Sequence, residues 1–178
     1  MRDRLTKSDW IKHGLRTLAD SGPNALKIGP MAMALKVSRG SFYWHFRDLA
    51  EFRAQLLQRW QEIATDRVIE DLDTRAGDPG RLKDLTRRAL SGMQPLDRAI
   101  RSWAAEDREV AAIVAAVDTR RVARIARLLV EAGVEGERAG HRATFLYWAY
   151  LGQAVVMDPR HASLSEAALD EISDLLER

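Results

Sequence analysis

Apolar positions recur along this chain at three- and four-residue spacings, and no stretch keeps the two-residue alternation of a half-buried strand. Trp10, Ile11, Leu15 and Leu18 share one face of a helix expected from about residue 9 to 20, with Ser8 placed to cap it and Gly22-Pro23-Asn24 to stop it. A short second helix carries Met31, Ala32 and Leu35. Its start, Gly29-Pro30, places glycine at the cap and proline at the first helical position, where a missing N–H costs nothing. Lys36-Val37-Ser38 then separates it from a third helix, residue 38 to about 45, by the connection length of a helix-turn-helix. A fourth pattern runs from Asp48 through Phe52, Leu56, Leu57, Trp60, Ile63 and Val68 to about Leu72, and ends in the breaker-rich loop 73–80.

The remainder predicts helices at about 81–91 and 95–104, then a longer one from Asp107 with Val110, Ile113, Val114, Val117, Ile125 and Leu128 on one stripe, closing at Gly133. Residues 135–156 read as another long helix, ended by Asp158-Pro159. Ser163-x-x-Glu166 is a capping box for the last, with Leu169, Ile172, Leu175 and Leu176 on one side. The expected fold is all-α, with about nine helices and no internal repeats.

The segment 36–52, K-V-S-R-G-S-F-Y-W-H-F-R-D-L-A-E-F, carries the most chemistry. Val37, Phe42 and Phe46 are spaced to share a buried face, which leaves Arg39, Gly40, Tyr43 and Trp44 pointing outward. Ser38 is placed to accept a bond from the backbone N–H of Gly40 or Ser41, and Asp48 repeats that logic at the next helix.

The run V-S-R-G-S-F-Y-W-H-F, residues 37–46, resembles the recognition-helix signature of the TetR family of bacterial transcriptional regulators, and the similarity extends from residue 5 to about 57. The resemblance implies a helix-turn-helix DNA-binding domain over 1–48 and a helical ligand-binding and dimerisation domain over 49–178. It further implies a homodimer on palindromic double-stranded DNA, acting as a repressor that an unknown small-molecule effector releases. In that scheme Tyr43 and His45 contact phosphates; a surface aromatic and a solvated imidazole are the competing reading. Arg39, Ser41 and Trp44 are the candidate base-reaching side chains, since the start of a recognition helix enters the major groove and Arg pairs bidentately with guanine, although phosphate contact would serve Arg39 equally well. Ser38 and Gly40 complete the DNA-facing set, Gly40 by letting the backbone come close.

Three positions depart from the family pattern. Leu49 stands where relatives carry a lysine that anchors a phosphate. Lys36 occupies a turn position more often filled by glycine, at a cost of roughly 1 to 2 kcal/mol if the turn is left-handed. Lys27 stands near where a Thr or Ser commonly caps the second helix; the Gly29-Pro30 start replaces that cap and leaves Lys27 available to supply the missing phosphate charge.

Charge, residue content and absent motifs narrow this picture. The net charge of +2 conceals an asymmetry: residues 1–48 hold nine Lys/Arg against four Asp/Glu, whereas 49–178 hold nineteen against twenty-two. Zero cysteines exclude disulfides and thiolate chemistry, and His13, His45, His141 and His161 share no metal-binding spacing, although Glu137 and His141 lie one helical turn apart. No phosphate loop, dinucleotide fingerprint or serine elbow is present, so neither an enzyme nor a cofactor is expected. The start M-R-D-R-L-T-K-S-D lacks a signal-peptide core and no apolar run approaches a membrane span, which makes the cytoplasm the expected compartment and no membrane an expected partner.

In the second half Trp60, Met93, Trp103, Tyr147 and Trp148 are candidate pocket residues, because Trp and Tyr offer an apolar wall with a polar handle; ordinary core packing is the competing reading. Ala139, Ala143, Leu146 and Tyr150 on one helix, with Leu169, Ile172 and Leu176 on the last, are the expected dimer face. A ligand-independent DNA-binding regulator and a helical protein-interaction adaptor are the alternative functions.

Overall fold

The computed structural model describes residues 5–90, 93–156, 159–161 and 164–177, and among these no strand occurs. The helices are α1 (Lys7–Ser21), α2 (Ile28–Ala34), α3 (Arg39–Tyr43), α4 (Leu49–Gln61), α5 (Arg67–Thr74), α6 (Arg81–Leu90), α7 (Pro95–Ala104), α8 (Arg108–Glu131), α9 (Gly136–Gly152) and α10 (Glu166–Glu177). A π-helical turn, Glu62–Asp66, joins α4 to α5 without a break, so the described residues form nine continuous helices in the all-α class the periodicity predicts.

Several helix starts differ from expectation. Thr6, not Ser8, caps α1: its hydroxyl accepts from the Asp9 N–H at 3.3 Å while the Asp9 carboxylate accepts from the Thr6 N–H at 2.9 Å, a reciprocal box that satisfies two helix-start donors. α2 begins at Ile28 with Lys27 at its cap, which puts Pro30 at the third helical position, still among the donors that lack partners. α3 is only five residues long. Its cap is Ser38, but no hydroxyl cap bond forms, and the Ser38 carbonyl instead accepts from the Ser41 N–H at 3.0 Å. Asp48 caps α4 as expected, accepting from the Glu51 N–H at 2.7 Å. Ser163 lies outside the described residues; Ser165 accepts from the Ala168 N–H at 3.2 Å at the start of α10.

The chain falls into two compact units, Met1–Asp66 with Pro95–Val114, and Arg67–Gln94 with Ala115–Arg178. Neither ends at the expected boundary of 48/49, because α1 packs against both α4 and α7. In the first unit Trp10, Leu18, Phe42, Phe46, Phe52, Leu56, Trp60 and Ile100 are essentially inaccessible. Gly14 lets α1 and α4 approach: a Cβ there would stand 2.5 Å from Phe52 Cζ and 2.9 Å from Leu56 Cδ2. In the second unit Leu72, Leu82, Leu128, Leu129, Val134, Ala139 and Ala143 form a core, and Arg87 of α6 pairs with Asp170 of α10 at 2.5 Å.

Candidate nucleic-acid interface

A five-residue helix has too few hydrogen bonds to stand alone, so α3 must be held by what lies behind it. Four rings do this. Phe42 of α3 meets Trp10 of α1 edge-on with ring centres 5.3 Å apart, Phe46 at 5.0 Å and Phe52 of α4 at 5.4 Å, and Phe46 meets Phe52 at 4.9 Å. Val37, the third expected member of the buried face, is half-buried.

The turn into α3 is equally constrained. After α2 the Val37 N–H bonds the Ala32 carbonyl and the Lys36 N–H bonds the Met33 carbonyl, each at 3.0 Å, with Lys36 at φ 57°. This is a Schellman closure with a lysine in the left-handed position that glycine favours. The strain anticipated for Lys36 is therefore present.

The opposite face of α3 is open. Tyr43 is 59% exposed and Trp44 77%, and Arg39 and Gly40 are exposed beside them. Gly40 needs no room within its own chain, since a Cβ would only touch Ser38 Oγ at an ordinary 3.5 Å. Ser41 is half-buried, Ser38 and Lys27 are exposed at the caps of α3 and α2, and Leu49 is half-buried at the start of α4. The Arg39 guanidinium lies against Gly29 of α2.

His45 has an internal partner: its Nε2 lies 3.0 Å from the Leu5 carbonyl. A carbonyl only accepts, so Nε2 carries the proton and neutral His45 presents Nδ1 as an acceptor. A phosphate contact through Nδ1 then requires a doubly protonated ring.

The candidate pocket residues are divided between the two units. In the first, Trp60 is fully buried and donates its indole N–H to Asp97 Oδ1 at 2.8 Å, and Trp103 is buried with the Arg53 guanidinium 5.8 Å from its ring. In the second, Met93 is buried, whereas Tyr147 and Trp148 border an open groove of about 520 Å³ between α8 and α9. Val122, Ala123 and Leu151 supply apolar wall there, and Tyr147 donates its hydroxyl proton to Asp118 at 2.6 Å.

The expected dimer face needs correction. Ala139 and Ala143 are wholly inside the core of the second unit, and Leu146 and Leu169 are buried too, so they have no surface to offer a second copy. Tyr150, Ile172 and Leu176 are half-buried; the Tyr150 ring sits 5.8 Å from that of Tyr147, and Leu176 packs on the core. Among the apolar side chains left outside are Phe145 and Trp148 of α9, 62% and 66% exposed, and Leu175 of α10, 58% exposed, with Ala149 one turn beyond Phe145. α9 carries apolar residues on two faces, and helical period alone does not say which one its own core takes.

Among the described residues no helix is long and apolar enough to cross a membrane, and no three His, Cys, Asp or Glu side chains converge on a metal position. Neither a protein-family model nor a curated protein sequence matches this chain.

Proposed function

We propose that this protein is a DNA-binding transcriptional regulator of the TetR kind, a homodimer that reads a palindromic duplex through α3 and is released by a small-molecule effector. One observation carries the reading: a five-residue helix braced by four packed rings turns Arg39, Tyr43 and Trp44 outward, in the part of the chain that holds nine of its basic residues against four acidic ones. A helix kept for core packing alone has no use for two exposed rings. Lys27, exposed at the start of α2, adds a positive charge to the same helix-turn-helix.

Phe145 and Ala149 of α9, with Leu175 of α10, are the contacts we assign to the second copy, in place of the buried alanines. The groove bordered by Tyr147 and Trp148 is the place we assign to the effector, with apolar walls and the hydroxyl–carboxylate pair of Tyr147 and Asp118 as polar anchor. Binding of effector and DNA would then oppose each other by one shared coupling free energy.

The deciding experiment is titration of fluorescent duplex DNA at several salt concentrations. If the dimer neutralises about 6 phosphates, log K falls with a slope near −5 against log salt. Binding that ignores salt between 50 and 200 mM, or no binding at all, overturns the reading.

A further inference from the structure

Gly29 stands at the second position of α2, where its backbone makes no demand for glycine: its φ is not in the left-handed region, and alanine is the better helix former. What it meets is the side chain of Arg39, ten residues later. A Cβ built on Gly29 would stand 3.2 Å from Arg39 Nη2, 3.3 Å from Nε and 3.5 Å from Cζ. The first two distances are tighter than most carbon contacts, so a side chain at position 29 would push the guanidinium aside by a few tenths of an ångström. Gly40, on the recognition helix itself, is under no comparable pressure.

Arg39 is the first residue of α3 and is exposed, so little else restrains its long side chain. A guanidinium recognises a base edge through two parallel N–H bonds, and that contact depends on the direction in which the planar group is held. Resting on a bare Cα gives the group one surface to lie along before DNA arrives, which biases its direction and reduces the rotamer freedom lost on binding. We propose that Gly29 is a specificity-positioning residue: it is the platform that aims the Arg39 guanidinium, and thereby sets base preference without touching DNA. The proposal rests on the DNA-binding reading above.

The test uses four full-length proteins: wild type, Gly29→Ala, Arg39→Ala and the double variant. Each is selected against a randomised duplex library, then titrated on the duplex that wild type enriches and on a scrambled duplex of equal length. Alanine at 29 favours the helix, so the melting temperature of Gly29→Ala should equal or exceed that of wild type. Its affinity for the enriched duplex should fall about threefold to tenfold, with the scrambled duplex little changed and no further loss when Arg39 is already alanine. A changed base preference at one position in the selected pool is the companion result. Equal losses on both duplexes, the same loss with and without Arg39, or no loss would overturn the proposal while leaving DNA binding intact. Failure of wild type to enrich any sequence would overturn the DNA-binding reading and this inference with it.

Discussion

Trp60 of α4 donates its indole N–H to the Asp97 carboxylate of α7 at 2.8 Å, with both residues buried, and Arg101 Nε lies 3.5 Å from the second carboxylate oxygen. The polar handle that made Trp60 a candidate pocket wall is thus spent on a neighbouring helix. Trp60→Phe keeps an aromatic side chain but removes the donor and the volume of the second indole ring, so it leaves the buried Asp97 carboxylate one bond poorer beside a small cavity and should cost at least about 1 to 3 kcal/mol in urea denaturation. Unchanged stability together with a lost effector response would return Trp60 to the pocket.

Lys36 closes α2 in the left-handed conformation. Glycine removes the Cβ conflict but adds freedom to the unfolded chain, so Lys36→Gly should stabilise by a net of about 1 kcal/mol. Thermal unfolding monitored by circular dichroism measures it, and a lower melting temperature would show that the lysine side chain contributes more than its backbone costs.

His13 on α1 has its pKa held below the ordinary value of 6.5, first by partial burial and then by the nearby Arg16 charge. Its folded form therefore binds a proton less readily than the unfolded chain. Stability should be unaffected above pH 6.5 and fall as the pH drops from there through the lower folded pKa, because the unfolded state takes up the proton first. Urea midpoints measured from pH 7.5 to 5 should show this slope, and His13→Gln should flatten it. The Asp9 and Glu51 carboxylates, lowered by their bonds to Thr6 and to the Arg47 backbone, add their losses only at more acid pH.

Phe145 is 62% exposed on α9. Phe145→Asp should leave helical content unchanged yet convert a dimer to monomers in sedimentation at micromolar concentration, and abolish binding to a two-half-site duplex. A variant that sediments and binds like wild type would move the interface elsewhere.

Much of the fold and of the candidate interface was legible in the chain, because helical period is a local property. The two faces of segment 36–52, the Asp48 cap, the extent of α7 and the stop at loop 73–80 all follow from residues within a turn or two of each other. Cap registers were less legible: Thr6 and Ser8 are both hydroxyls, and the chain settles on Thr6 because Asp9 stands three residues on to complete the box.

Tertiary structure alone decided the pairings between distant residues. Ala139 and Ala143 were expected on a dimer face and lie in the core, because two apolar stripes on α9 are equivalent until Leu128, Leu129 and Leu82 cover one of them. Gly14 against Phe52, Gly29 against Arg39, His45 on the Leu5 carbonyl and Trp60 on Asp97 join residues ten to forty apart. No spacing rule reaches that far: such contacts depend on how helices cross, which is set by side-chain volumes summed over whole faces. What the sequence by itself determined was the order of the helices and the outward chemistry of α3; which polar groups are already engaged, and which apolar faces remain uncovered, emerged only when the helices packed.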